Sequence, residues 1–221
     1  MDNQSVKMKE LYIPRIEAPT PLSLTQAEYL LEQHAVSHGI RCVNWDQFDY
    51  APQVNFRIAH TGQHIWLKYT VNESHIRAMV TETNGPVYQD SCVEFFISFG
   101  EGYYNFEFNC IGVPYLATGP NRFRRRLVEP NLVEQIAVHS TLGNQPFDKR
   151  SGAFEWELMI SIPISCFVGS NLTTFDDLAA TANLYKCGDE TEVPHFLSWN
   201  PIDTPNPDFH RSEFFGKVQF G

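Results

Sequence analysis

The sequence predicts an all-β fold, an antiparallel β-sandwich of jelly-roll type with a short N-terminal helical extension. Three observations carry that expectation. From about residue 53 onward, apolar residues recur with period two. The stretches between the alternating segments are turn-rich and leave no room for repeated crossover helices, which excludes a doubly wound parallel sheet. Finally, 17 Phe, 9 Tyr and 4 Trp among 221 residues suit pleated surfaces that bury one face. With 43% hydrophobic residues the chain can fill a core without metals or disulfides. No internal repeat or low-complexity tract is present, and the expected division is an arm and short helix over 1–34 packed on a sandwich over 35–221.

In chain order, residues 1–21 read as an extended arm with Pro14, Pro19 and Pro21. Thr25 and Glu28 have the spacing of a capping box, and Ala27, Leu30, Leu31 and Ala35 supply an apolar helical stripe that Gly39 ends. Strands follow over 53–58, 64–71 and 76–81. The segments around Glu94 and Glu107 form the next pair. Tyr104, Phe106 and Phe108 fall on one face of the second segment, with Tyr103, Asn105, Glu107 and Asn109 on the other. Further strands are expected over 112–118, 132–141, 153–162, 178–186 and 217–220. The region 187–213 contains Pro194, Pro201, Pro205 and Pro207 and reads as a long ordered loop, a kind of segment that is commonly functional.

A formal charge of −10 argues against a nucleic-acid binder and against docking to an anionic membrane. A neutral ligand fits better. No stretch reaches transmembrane length, and the first 20 residues hold no signal-like apolar run. The expectation is a soluble protein, cytoplasmic if the chain is complete and periplasmic or extracellular if it is a mature fragment. The cysteines, Cys42, Cys92, Cys110, Cys166 and Cys187, lack C-x-x-C spacing and read as buried thiols, with one disulfide open in an oxidising compartment.

A polar row above a greasy sheet is the kind of surface that holds neutral sugars, and the Glu94 and Glu107 strands would present one. His195, Trp199, Asn200, Asp203, Asp208, His210 and Arg211 form the densest polar and aromatic group in the long loop. There a tryptophan ring can receive the C–H face of a sugar while amide, acid and guanidinium groups bond its hydroxyls. Trp156 alternates with the core set, Trp45 is expected to pack the helix on the sheet, and Trp66 shares a face with Lys68. Arg122, Arg124, Arg125 and Arg126 make a basic run that could meet a carboxylated sugar or pair with nearby acids. Glu94 and Glu107 could also form a hydrolytic carboxyl pair. Asp90 or the 203–208 loop could hold a structural Ca2+. The His34/His38 and His60/His64 pairs lack the glutamate and third ligand of a zinc site.

The strings VYQDSCVEFFIS, YYNFEFNCIG, ANLYKCGD and PHFLSWNPIDTPNPDFHRSEFFGKVQF together resemble the family 9 carbohydrate-binding modules, nearest a family 9-like subgroup of Bacteroidetes proteins. The resemblance implies a β-sandwich that binds sugars without cleaving them. Better-studied members are xylanase appendages that hold the reducing ends of glucans and xylans between two tryptophans, with calcium supporting the fold. It places Tyr88 at one aromatic position and Trp199 at the other, and matches Asp90 and Glu94 to the family's acidic pair. The strand arginine of the family is replaced by Asn105 and Glu107, with Arg211 as its substitute.

The expected function is therefore non-catalytic binding of a neutral mono- or oligosaccharide of glucan or xylan type, by Trp199, Tyr88, Glu94, Asn105, Glu107 and Arg211. Asp90 is the candidate ligand of a structural Ca2+, and no cofactor is needed for chemistry. A role in polysaccharide utilisation, in association with a glycoside hydrolase, would follow. The alternatives are a glycoside hydrolase using Glu94 and Glu107, or a structural or protein-interaction sandwich with an exposed apolar patch.

Overall fold

Period-two alternation sends every second side chain to the same face, so each strand offers the core one apolar row. In the computed structural model, which describes residues 8–19 and 21–221, those rows meet between two sheets. The front sheet runs β1 (Glu10–Ile13), β14 (Gly216–Phe220), β12 (Ala179–Cys187), β6 (Cys92–Gly100), β7 (Gly102–Asn109), β8 (Pro114–Gly119), β9 (Arg126–Leu127). β13 (Phe196–Ser198) joins it through β12 and also pairs with β3 (Cys42–Val43). The back sheet runs β10 (Ala137–Ser140), β11 (Phe147–Pro163), β5 (His64–Ala78), β4 (Gln53–His60), β2 (His38–Ile40). These pairs are antiparallel except β1 with β14, which is parallel.

Between the sheets, Val93, Phe95 and Ile97 of β6 and Phe106 and Phe108 of β7 belong to one buried cluster with Leu67, Tyr69 and Val71 of β5 and Trp156, Leu158 and Ile160 of β11. Burial of each large apolar side chain is worth about 1.5–3 kcal/mol. Tyr69 sets its hydroxyl across the core as a donor to the Glu94 carbonyl, at 2.8 Å. The β6–β7 turn is tight enough to require glycine. Gly102 has φ +79°, and a Cβ there would lie 2.7 Å from the Gly119 carbonyl oxygen.

The outer faces are covered differently. On the back sheet, α1 (Leu24–His34) packs Ala27 and Leu31 against Ala59, Trp66 and Met159. Lys68 stands among three carboxylates there, with Glu28 at 2.8 Å, Glu32 at 2.5 Å and Glu157 at 2.9 Å. On the front sheet, the 188–215 segment folds down so that Trp45, Ile202, Phe209 and Phe215 form a second cluster over Phe96, Tyr103 and Tyr185. Tyr185 and Phe209 stack at 4.2 Å with an interplanar angle of 9°.

Several sequence expectations change in detail. The helix is capped by Ser23 with Gln26 rather than by Thr25 with Glu28. Both boxes fit the pattern, but Pro21 and the chain entry place Ser23 at the boundary. The strands expected over 64–71 and 76–81 merge into one strand, β5, which pairs with β11 through two irregularities and ends at Ala78, so 79–81 lie beyond it. Within 132–141 the first residues instead complete a helical turn, α2 (Pro130–Val133), opened by Pro130. The arm is not merely extended: residues 10–13 form β1 on the front sheet. Its residues 1–7 and Thr20 lie outside the described residues. Trp45 packs beneath the long loop, its indole N–H donating to the Thr204 carbonyl at 2.8 Å, and not against α1. Trp156 is fully buried, as its alternation requires.

Candidate functional site

Register puts Glu94 of β6 directly opposite Glu107 of β7, and Tyr185 of β12 opposite Glu94 on the other side. Their side chains point to the outer face, away from the apolar row of Val93, Phe95, Phe106 and Phe108. The covering segment does not close completely over them. It leaves a cavity of about 140 Å3 lined by Tyr88, Glu94 and Glu107, by Arg122 and Arg125 from the β8–β9 connection, and by residues of the long loop. Those loop residues include Asp189, Phe196, Pro207, Asp208, Phe209 and His210.

The floor is acidic and buried. Glu94 and Glu107 are each about 3% exposed. Burial pushes Glu107 up to about 7, against the opposing pull of Arg125 and of the Asn105 amide. Glu94 is raised further, by burial and then by the neighbouring Glu107 charge. Asp189 at the rim is pushed up to about 6 by burial. The Cys187 thiol donates to Glu94 Oε1 at 3.1 Å, and the Asn105 amide donates to Glu107 Oε1 at 2.8 Å. Glu107 Oε2 and Asn105 Oδ1 are buried with no hydrogen-bond partner among the described residues. An unpaired buried acceptor is costly, so it marks a place where a donor is missing.

Cationic and aromatic groups form the walls. Arg125 lies 3.7 Å from Glu107 Oε1 and 3.2 Å from His210 Nε2, and its guanidinium sits over Tyr115 at 5.6 Å. His210 Nδ1 is 2.8 Å from the Tyr103 hydroxyl. Burial and the two arginines hold the His210 ring down to about 3, so it is a neutral imidazole at ordinary pH. Arg122 faces Asp208 at 3.6 Å. Tyr88, in a short turn at 87–89, remains 39% exposed and lines the cavity together with the acids.

Of the six residues expected to bind ligand, Tyr88, Glu94 and Glu107 line this cavity together. Asn105 is fully buried and supports Glu107 from below. Trp199 is placed elsewhere. It follows β13, its backbone N–H donates to the Leu184 carbonyl at 2.8 Å, and its ring turns inward beside Phe56 and Gly216. Only 3% exposed, it is a core residue and not a platform. Arg211 also points away. A turn at 212–214 sends it outward to Glu213 Oε1, at 2.8 and 2.6 Å.

Asp90 is not free to hold a cation. Its carboxylate accepts from Arg77 at 2.5 Å, from the Met79 and Val80 amides at 3.0 and 2.9 Å, and from Asn109 at 3.0 Å. Four donors occupy both oxygens, so this acid locks the β5–β6 connection in place of a metal. His195 and Asn200 from the loop group are buried in structural contacts, with Lys186 and with the Phe214 carbonyl respectively. Asp208 and His210 do reach the cavity.

Sequence reasoning did not assign Asp189, Phe196, Phe209 or Cys187 to the site, nor choose Arg122 and Arg125 from the basic run. The available signal was topological. A meander from β7 through β8 to β9 returns the arginine run to the Glu107 edge.

Fold and site together define a β-sandwich with an acid-floored, aromatic-walled pocket on one sheet face. The chain belongs to Carbohydrate-binding family 9, whose model matches residues 25–220. A crystal structure of a candidate carbohydrate-binding protein from Bacteroides uniformis is 37% identical, with TM-score 0.94 over 97% of this chain and 100% of that one. A family 9 module from Caldicellulosiruptor kristjanssonii solved with glucose has TM-score 0.57 at 8% identity, over 96% of each chain. The same organism's family 9 module with cellotriose gives 0.52 at 8% identity, over 96% of this chain and 93% of that one. At such identity these two share the fold. Comparison with curated proteins gives no match. Among the described residues no helix is long and apolar enough to cross a membrane.

Proposed function

We propose that the chain binds a neutral mono- or oligosaccharide of glucan or xylan type in the cavity above Glu94 and Glu107, without cleaving it. The observation that carries this reading is the unpartnered Glu107 Oε2 beside an exposed Tyr88 ring, a hydroxyl acceptor next to an apolar face. At about 140 Å3 the cavity is smaller than the roughly 300–1,000 Å3 of drug-sized pockets, which suits one ring of a chain whose remainder lies outside. Such a mode fits a sugar terminus, including a reducing end. Burial favours the protonated form of Glu94, which can donate where Glu107 accepts, so the floor offers both halves of a hydroxyl pair. Arg122 and Arg125 supply further donors at the wall.

A hydrolytic use of the two acids has one observation in its favour, their raised protonation in a cleft. It requires carboxyls flanking the scissile bond. Glu94 and Glu107 are neighbours on one face of one sheet and approach a ligand from the same side. Binding alone is therefore the reading we adopt, with a glycoside hydrolase as the partner that benefits from a raised local substrate concentration.

Isothermal titration against glucose, cellobiose, xylobiose and their alditols tests it. Saturable heat is expected, with a dissociation constant on the order of micromolar to millimolar, lost in Tyr88→Ala and on reduction of the sugar end. Silence across the panel from folded protein would refute the reading. Sugar release abolished by Glu94→Gln or Glu107→Gln would instead establish the hydrolase.

A further inference from the structure

The cysteines differ in company. Cys42, Cys110 and Cys166 each sit alone against a backbone carbonyl, those of Trp199, Arg77 and Leu132, at 3.4, 3.6 and 3.3 Å. Cys92 and Cys187 face each other instead. They are direct cross-strand partners at the β6–β12 end, both fully buried in the cluster on the outer face, and Glu94 lies two residues along β6 on the same side. One atom from each of Cys92, Cys187 and Glu94 lies within 4.8 Å of the other two. The closest pair, Cys187 Sγ and Glu94 Oε1, is 3.1 Å apart.

A second observation points to a missing occupant. Glu107, directly opposite Glu94 across β6–β7, leaves Oε2 buried and without a partner among the described residues. Two thiols and the Glu94 carboxyl thus converge on one buried floor, with Glu107 opposite Glu94 and Arg125 3.7 Å from Glu107.

We propose that Cys92, Cys187 and Glu94 form a binding site for a divalent cation of the zinc class, with a fourth position open to the cavity. Two thiolates favour a borderline or soft ion over calcium or magnesium, which prefer all-oxygen shells. Zinc–sulfur bonds of about 2.3 Å and zinc–oxygen bonds of about 2.0–2.2 Å put tetrahedral ligands about 3.3–3.8 Å apart. With the three ligand atoms already within 4.8 Å of one another, a contraction of at most about 1 Å completes the shell. Binding replaces protons: the ion enters, each thiol releases one proton as its sulfur becomes a thiolate, and the Glu94 carboxyl releases a third. The site then carries one net negative charge, which Arg125 faces. Placed at the floor of the cavity, the ion would sit beneath any bound ligand, yet its binding does not depend on the sugar reading.

The test uses the full chain, reduced with a phosphine, stripped with a chelator and titrated with Cd2+ and then Zn2+. A thiolate-to-cadmium charge-transfer absorption should saturate at one ion per chain and disappear on Zn2+ addition. It should persist in Cys42→Ser, vanish in the Cys92→Ser/Cys187→Ser double variant, and need about tenfold or more Cd2+ in Glu94→Gln. Unsubstituted protein should release up to about three protons per ion in weak buffer, a readout independent of variant folding. No absorption at one equivalent, absorption that survives the double substitution, or a Cys92–Cys187 disulfide formed in the metal-exposed protein would overturn the site. Sugar titration of the stripped protein separately tests the pocket.

Discussion

Lys186 and Cys187 are adjacent in β12 and look in opposite directions, into two regions that treat buried charge in opposite ways. Lys186 turns between the sheets and meets Glu73 of β5 at 2.9 Å, with both side chains fully buried. Trp156 donates to the other Glu73 oxygen at 2.7 Å, and His195 Nε2 lies 2.7 Å from the ammonium. Cys187 turns outward to Glu94, whose neighbour Glu107 has the same sign of charge and an unpartnered oxygen. The inner acid is paired with a tethered cation; burial raises the proton affinity of the outer acids instead. The first arrangement holds two sheets together. The second leaves acceptors and donors available to something that enters.

The largest expected effect breaks the inner region. Lys186→Met strands Glu73 as an uncompensated buried charge and should cost about 3–5 kcal/mol in urea unfolding. Adding Glu73→Gln should recover much of that. A single-variant cost below about 1 kcal/mol would show that the pair is not a clamp. Next, Trp199→Phe should lower Tm while leaving sugar affinity within about twofold, since the ring is core; Tyr88→Ala should do the reverse, with little change in Tm and a loss of about tenfold or more in affinity.

Protonation sharpens the contrast. Glu107 titrates near 7 in the fold, above its ordinary value of 4.5. The folded chain therefore holds more protons than the unfolded one between those values, and stability falls as pH rises through that window. Glu107→Gln should reduce that slope, raising stability by roughly 1–3 kcal/mol at pH 8 with little gain near pH 4.5, measured by paired urea melts. A parallel slope in wild type and variant would contradict the assignment. The smallest effect belongs to Arg211→Ala. Its exposed pair with Glu213 should be worth less than about 1 kcal/mol, with sugar affinity unchanged.

Much of this was legible before the structure. Alternation in YYNFEFN separated Phe106 and Phe108 from Asn105 and Glu107, and the two groups lie on the faces so divided. Glu94, Glu107 and Tyr88 fall in one cavity because strand register is a local consequence of that pattern. Trp199 was misplaced because a Pro-rich loop has no periodicity to say which way a ring turns; three residues of β13 pairing with β12 decide it. Arg125 was passed over in favour of Arg211 for a related reason. Linear proximity to the loop suggested Arg211, whereas the β7–β8–β9 meander carries Arg125 back over Glu107. Asp90 looked like a metal ligand because an acid at a strand mouth does not reveal its donors, and here Arg77 and two backbone amides supply them.

The most direct test of the central claim, that the outer face of the front sheet is the ligand site, is hydrogen–deuterium exchange with and without saturating cellobiose or xylobiose. Added protection is expected in segments 86–94, 120–126, 187–190 and 207–211, with none around Trp199 and His38. Protection confined to the surroundings of Trp199, with the Glu94 face unchanged, would contradict it.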